Sequence, residues 1–390
     1  MKINIYTLLF LALFSLSIPQ GYTQQLGDKP GALLIMGGNC TNDFFLTQFS
    51  GLTGGLESNI VIIPTAMEDA FLDSENDLNR IKKPFVDHGF KNINIVHTRS
   101  NTLANGDSLN ALLLEADGVW ITGGRQWRLA KSYNGTKIIS ALKTIYQQGK
   151  IIAGTSAGAS IMGSLLVRGD SSDHTLMMGD YQEGFALVNS IAIDQHHLAR
   201  NRQFDLFEIK RKYPDLLGIG IEENTGVILS KDKFKVIGAG YVSIYDGTRW
   251  SEERDTIYQL PPGVEQFYLL ASNLEYDMRI RKVIFPEDRT EGHVDVPFLT
   301  TLVGTYQQVE GLKYGNDIRI KVKTEAGRLL FEQSWNEAIY EVLYDHSLTF
   351  FRPNANAVFY FEKDKYGSIN RFNYYQNGST TWKKLSLNQQ

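Results

Sequence analysis

Cysteine is all but absent from this sequence. Cys40 is the only one in 390 residues, so the chain cannot close an internal disulfide. No second thiol is there to make a redox pair or a thiolate metal cluster, and Cys40 reads as a small buried core residue. Clustered positive charge is missing as well. Lys and Arg total 39 against 43 Asp and Glu, for a formal net charge of -4, which is no electrostatic footprint for nucleic acid or an anionic membrane. Neither is expected as a partner. Beyond the first 23 residues no long apolar run appears, and there is no internal repeat or low-complexity tract. No paired His and carboxylate spacing suggests a metal site, and the expected cofactor complement is none.

The first residues read MKINIYTLLFLALFSLSIPQGYTQQ. One Lys precedes an apolar run from Ile5 to Ile18, and small or polar residues, Gly21 and Thr23 among them, follow it. That order is the pattern of an export signal, and the run is shorter than the roughly 20 residues a membrane span wants. Residues 1–23 are therefore expected to be a signal peptide and the protein to be exported, secreted or periplasmic. An intact amino terminus on the secreted protein would overturn this.

With 43% hydrophobic and 21% charged residues, the chain can bury a sizeable core and has room for more than one domain. From Gly31 to about Ser230, short apolar strands alternate with amphipathic helices, the pattern of a parallel sheet covered on both faces. Strands are expected at Ala32 to Met36, Asn59 to Pro64, Asn92 to Val96, Gly118 to Thr122, Lys150 to Ala153 and Ser190 to Ile193. Helices are expected at Asp77 to His88, despite Pro84, and at Thr136 to Gln148. Around Lys210 to Ser243 the chain turns β-rich, with further strands at Gln266 to Leu270 and Ile280 to Phe285. A charged, turn-prone stretch from Pro286 to Pro297 marks a boundary. The expected division is an α/β hydrolase domain over 24–290 and a small β-rich domain over 296–390. The latter alternates in short runs such as Ile318 to Lys323 and Val358 to Glu362, with Asn377-Gly378 as a hairpin signal. It reads as an antiparallel unit for packing or for homodimerisation.

The chemistry concentrates at Gly154-Thr155-Ser156-Ala157-Gly158. A strand runs straight into it and an apolar helix is expected from Ala159 to Val167, which is the strand, sharp turn and helix of a nucleophile elbow. A phosphate-binding turn would need a Lys after the last glycine, and the turn has none. The helix start behind Ser156 offers free backbone N–H groups to a developing oxyanion. Serine is a weak nucleophile at neutral pH and needs a base that is itself oriented. Of seven histidines, His196 stands out at a strand end within Asp194-Gln195-His196. From the residues alone a structural role for it stays open, as does a solvated helix start for Arg200 and Arg202.

Five segments occur in order: Gly37-Gly38, Thr122-Gly123-Gly124-Arg125-Gln126, the Gly154 to Gly158 elbow, Asp194-Gln195-His196 with Arg200 and Arg202, and Gly218 to Thr225 with Glu222-Glu223. Together they resemble the signature of the cyanophycinase and peptidase E family of serine peptidases. The resemblance covers roughly Gly31 to Gly247. It implies a parallel-sheet, class I glutamine-amidotransferase-like (flavodoxin-like) α/β domain. It also implies Ser156 as nucleophile, His196 as base, Glu223 as its carboxylate, and the N–H groups of Gly124 and Ala157 as oxyanion hole. Gln126, Asp194, Gln195, Arg200 and Arg202 would form the polar wall, the arginines gripping a substrate carboxylate. The activity implied is release of dipeptides from a β-linked aspartyl-arginine polymer. A peptidase E-like aspartyl dipeptidase and a silent binding protein on the same fold are the alternatives. Two positions depart from the pattern: Arg125 stands where the family has an acid, and Asp205 where it has an arginine. The two swaps compensate each other only if the side chains meet.

Overall fold

The computed structural model describes residues 31–386 apart from 174, 251–257, 262, 285–290, 312–316, 354, 356 and 376–378. The export signal expected over residues 1–23 and the Asn377-Gly378 turn lie outside the described residues.

Strands β1 (Ala32–Met36), β2 (Asn59–Ile63), β3 (Asn92–Ile95), β4 (Gly118–Ile121) and β5 (Ile151–Thr155) pair in parallel in the order β1-β5-β4-β2-β3. A parallel sheet must be covered on both sides, because its crossovers lie on its faces, and β1, β2, β4 and β5 are almost wholly apolar for that reason, while the edge strand β3 alternates Asn and Ile. Their period of two sends Leu33, Ile35, Val119 and Ile152 into one core and Leu34, Met36, Trp120 and Ala153 into the other. Helices α1 (Asp43–Thr53), α2 (Glu75–His88), α3 (Asn101–Ala104), α4 (Asp107–Leu114), α5 (Gln126–Tyr133) and α6 (Lys137–Gln147) supply the cover. Helix α2 runs through Pro84. Ser74 caps its start, left-handed Gly89 closes its end, and Phe85 and His88 are buried, which together offset the hydrogen bond that proline removes.

The middle of the chain builds on this sheet. A short α7 (Ala157–Ser160) and α8 (Leu206–Lys212) punctuate β6 (Ile191–Gln195), β7 (Leu217–Ile221), β8 (Thr225–Ser230), β9 (Lys233–Gly238) and β10 (Tyr241–Tyr245). The β-rich stretch thus begins at Leu217; Lys210 to Lys212 belong to α8, whose buried Leu206, Phe207 and Ile209 form its apolar face. A two-stranded ribbon, β11 (Thr248–Arg249) with β12 (Tyr258–Gln259), is followed by β13 (Tyr268–Ala271), β14 (Glu275–Asp277) and β15 (Lys282–Ile284). Antiparallel β8, β9, β14 and β15 extend the main sheet to nine strands, while β13-β10-β7-β6 make a second sheet in which β6 and β7 are parallel. The chain crosses from the second sheet to the first between β7 and β8, at Glu222-Glu223-Asn224.

The carboxyl-terminal unit is a closed antiparallel barrel of β16 (Gly304–Glu310), β17 (Arg319–Glu325), β18 (Arg328–Gln333), β19 (Ile339–His346), β20 (Thr349–Phe351), β21 (Val358–Lys363), β22 (Ile369–Tyr375) and β23 (Ser379–Lys384). Helix α9 (Val296–Leu302) inserts Leu299 and Leu302 into its core. Phe331, Phe359, Phe361, Phe372 and Trp382 fill that core, with ring centroids as close as 4.7 Å for Phe331 and Phe359. Its interior is therefore packed side chains, as expected for a barrel of this strand number.

The barrel docks on the main sheet through polar contacts. Lys235 of β9 donates to Thr349 Oγ1 at 3.0 Å, its ammonium lies 3.8 Å from the Tyr360 ring centroid, and the Tyr360 hydroxyl donates to Gln48 Oε1 at 3.1 Å. Nearby Glu362 is buried and accepts from Asn373 Nδ2 at 2.5 Å. Burial pushes its carboxyl up to about 7, against the opposing pull of Arg371, Asn373 and Lys235. A folded-state pKa above the unfolded value means the stability linked to this proton is full below about pH 4.5 and lost as pH rises through 7. Glu362→Gln is accordingly expected to raise stability at pH 8 by about 2–3 kcal/mol and to change little at pH 4.5. Urea unfolding at the two pH values reads this; an equal effect at both would overturn it.

Candidate active site

Strand β5 delivers Ser156 to the carboxyl-terminal edge of the sheet, between β1 and β4, where open α/β sheets bind ligands. Ser156 sits at φ 55°, ψ -115°, a region that costs a residue with a side chain about 1–3 kcal/mol and recurs at functional turns. Its N–H donates to the Met36 carbonyl at 2.9 Å, tying the turn to β1. Gly158 lets the following helix approach β4: a Cβ there would stand 2.2 Å from the Ile121 oxygen. That helix is shorter than expected. It ends at Ser160, and the apolar residues after it run irregularly along β6, Leu165 N–H donating to the Ile191 carbonyl at 3.3 Å. Their apolar character serves burial against a strand edge, which periodicity cannot tell from a buried helix.

His196 and Glu223 come from the second sheet. The His196 N–H donates to Gly37 O at 2.9 Å and the Asn224 N–H to Gly38 O at 2.9 Å, so the ends of β6 and β7 are stitched to the end of β1. Gly38 must be glycine here, since a Cβ would lie 2.2 Å from His196 Cε1. The imidazole Nε2 stands 2.9 Å from Ser156 Oγ, and Nδ1 stands 2.6 Å from Glu223 Oε1. With Nδ1–H donating to the carboxylate, the Nε2 lone pair is free to accept the serine proton. Gln195 Oε1 is a second acceptor 3.4 Å from Ser156 Oγ. Neighbouring Glu222 acts on the backbone instead, accepting from the N–H groups of Leu198 and Ala199 and of Glu223 and so pinning the turn that carries His196.

Ala157 directly follows Ser156, and Gly124 lines the same cleft. The Ala157 N–H opens α7 and so has no intrahelical acceptor. Gly123 and Gly124 follow β4 and lie beside the serine, a Cβ on Gly123 falling 3.2 Å from Ser156 Cβ.

The cleft above Ser156 holds about 590 Å³. Gln126, Gln195, Arg200 and Arg202 line it as expected, and so does Cys40, which is buried with its thiol pushed up to about 12 by burial. Asp194 does not line it. Its carboxylate is fully buried behind the wall, held by Arg168 Nε at 2.9 Å and Nη2 at 3.1 Å, with His197 Nδ1 at 3.5 Å and Arg202 Nη1 at 3.6 Å. Burial by itself would raise its pKa, but the nearby His197 imidazole together with the hydrogen bonds and charge of Arg168 keeps it well below the usual carboxylate range. Asp194 organises the wall and cannot touch a substrate. The two departures from the family pattern do not meet either: Asp205 pairs with Arg168 Nη2 at 2.5 Å, not with Arg125.

Arg168 is the residue sequence reading missed. It sits at φ 55°, is 3% exposed, and joins Asp194, Asp205 and the Thr175 carbonyl. Arg99 went unseen as well. It grips Asp69 Oδ1 at 2.8 Å and Met67 O at 2.7 Å, and so fixes the loop that presents Met67, Glu68 and Phe71 to the cleft. Neither lies in a motif, and no local signal would have found them. Among the described residues no three His, Cys, Asp or Glu side chains converge as a metal site, and no helix is long and apolar enough to cross a membrane.

Burial lowers the His196 pKa below its ordinary 6.5; the Glu223 hydrogen bond opposes this and the Arg200 and Arg202 charges add to it. Because a base must be neutral to act, the acid limb of the kcat/KM profile is expected below pH 6.5. Arg200→Gln is expected to move that limb upward and Glu223→Gln downward. A limb above 6.5 in the unsubstituted protein would contradict the assignment.

The profile of peptidase family S51 matches residues 33–237. The cyanophycinase of Trichormus variabilis is 31% identical over 224 residues, 56% of this chain and 74% of that one. The cyanophycinase of Geminocystis herdmanii is 29% identical over 210 residues, 53% of this chain and 76% of that one. Among solved structures, a peptidase from an acI-B1 actinobacterium is 20% identical with a TM-score of 0.46, covering 64% of this chain and 98% of its own. The family match spans the elbow, the His196 turn and Glu223, and the chain is a serine-type peptidase belonging to peptidase family S51, the cyanophycinase and peptidase E-like family.

Proposed function

We propose that the protein hydrolyses aspartyl peptide linkages through an acyl-enzyme, with Ser156 as nucleophile, His196 as general base and then acid, and Glu223 as the carboxylate that orients the imidazole. The observation that carries this reading is the unbroken run from Ser156 Oγ to His196 Nε2 at 2.9 Å and from Nδ1 to Glu223 Oε1 at 2.6 Å, opening on the cleft. Ser156 Oγ attacks the carbonyl carbon while its proton passes to Nε2. The N–H groups of Gly124 and Ala157 receive the charge on the carbonyl oxygen. The C–N bond then breaks, Nε2–H protonates the leaving amine, and water hydrolyses the ester by the reverse proton path. Glu223 stabilises the imidazolium that forms twice in this cycle.

In this reading Arg202 anchors a substrate carboxylate. It is buried at the cleft wall, its Nη1 donates to the Gln195 carbonyl at 2.9 Å, and burial pushes its guanidinium pKa down to about 10. A buried cation with incomplete pairing gains most from an anionic ligand. Arg200 adds a second charge, and Gln126, its Nε2 donating to Val167 O at 3.0 Å, holds the floor.

The likeness to cyanophycinases makes the β-aspartyl-arginine polymer the reference substrate and dipeptides the expected product. The test is a panel of the polymer with α- and β-aspartyl dipeptides, beside labelling of Ser156 by a serine-reactive phosphonate. Hydrolysis of any β-aspartyl substrate with labelling supports the reading. Dipeptide cleavage with the polymer spared keeps the mechanism and moves the substrate towards that of an aspartyl dipeptidase. No labelling and no cleavage by the folded protein would replace the reading with a binding role.

A further inference from the structure

Five arginines line the cleft, Arg125, Arg128, Arg168, Arg200 and Arg202, against one acidic residue, Glu68. Each carboxylate near them is already engaged. Glu68 faces Arg128 Nη2 at 3.5 Å, and Asp205 is taken by Arg168. Asp194 is shared between Arg168 and, at 3.6 Å, Arg202. Glu223 holds His196 and Glu222 the turn behind it. Among the described residues, Arg125 and Arg200 have no carboxylate within ion-pair distance. The two lie on opposite flanks of Ser156: Arg125 caps α5 directly after Gly124, while Arg200 and Arg202 follow His196. A guanidinium or ammonium entering this cleft would meet uncompensated positive charge and no free carboxylate, whereas a carboxylate would meet a waiting cation on either side.

We propose that the substrates are aspartyl peptides that carry a second acidic side chain, selected by Arg125, and not an arginine. This rests on the proposed function for the reaction at Ser156. Arginine suits this role because its fixed fork of donors meets a carboxylate in bidentate fashion. Arg125 also reaches the cleft from a helix start anchored by its own N–H, which donates to the Ala66 carbonyl at 2.8 Å, so its position owes nothing to a neighbouring acid.

The test compares β-aspartyl-glutamate, β-aspartyl-glutamine and β-aspartyl-arginine, three dipeptides that differ in one side chain. Binding is measured by calorimetry on the Ser156→Ala protein and kcat/KM on the unsubstituted one. The expected order is Glu above Gln above Arg, with Glu over Arg by about 10-fold to 100-fold, the size of one charge reversal near a protein surface. Arg125→Gln is expected to narrow the ratio and Arg125→Asp to invert it. A ratio taken within one variant is indifferent to how much of that variant is folded. Equal binding of all three, a preference for arginine, or an unchanged ratio in Arg125→Asp would overturn the proposal. Because the binding arm needs no turnover, preference for the glutamate dipeptide without Ser156-dependent hydrolysis would sustain this inference while removing the proposed function. Hydrolysis with preference for arginine would do the reverse.

Discussion

Ser156→Ala is expected to lower kcat on an aspartyl dipeptide by on the order of 10⁵-fold while leaving KM within a few-fold. No other side chain can replace the hydroxyl. The acyl-enzyme route closes, and what remains is water attack helped by the Gly124 and Ala157 N–H groups. Alanine keeps the volume of the elbow and adds no atom, and the turn is held by the Ser156 N–H donating to Met36 O, so the thermal midpoint should scarcely move. Removing His196 should cost nearly as much and the double variant no more than the larger single one, because residues that pass one proton act as a unit. The measurement is single-substrate kinetics beside thermal unfolding of each variant. Residual activity above a hundredth of the original in a well-folded Ser156→Ala would end the assignment.

Arg168→Met is expected to destabilise the α/β unit by about 3–5 kcal/mol, although the residue carries out no chemistry. The guanidinium supplies two hydrogen bonds to the fully buried Asp194 and one to Asp205. Methionine fills much of the same space but leaves the Asp194 charge in a dry site with the Gln195 N–H at 3.0 Å, His197 and the more distant Arg202 to meet it. Stripping one partner from a buried pair is far worse than replacing both by neutral groups. The double variant with Asp194→Asn should therefore recover a substantial part of the loss. Urea midpoints at pH 7 decide it. A loss under about 1 kcal/mol, or no recovery in the double variant, would show that Arg168 does not hold this network. Since Asp194 also fixes Arg202, the surviving folded fraction should show a raised KM with kcat little changed.

Both effects trace to residues that differ in how readily sequence shows them. Ser156 is legible because an elbow is local: strand, small residues and helix start lie within a few positions, and each has a steric reason that survives in the structure. The parallel strands were legible likewise, since helices cover both faces of the sheet and make β1, β2, β4 and β5 near-continuous apolar runs. The segment from Ile161 to Arg168 was not. It is apolar enough for a helix, yet its carbonyls and N–H groups are taken by β6 and by the chain near Gln182, partners that no window around it contains. The barrel shows the same limit. Its strands could be read one by one from alternation, but closure depends on β16 meeting β23, about 70 residues on.

Sequence by itself determined the α/β sheet, the sharp turn that carries Ser156 and the family, because these depend on local sterics and on short motifs in a fixed order. Only the tertiary structure decided that Glu222 pins the turn that carries His196, that Asp194 stands behind the wall, and that Arg168 and not Arg125 neutralises Asp205. The physical reason is that a charge takes its role from its nearest partner and its burial. For Arg168 those partners sit 26 and 37 residues away in the chain and only 2.5–3.1 Å away in space.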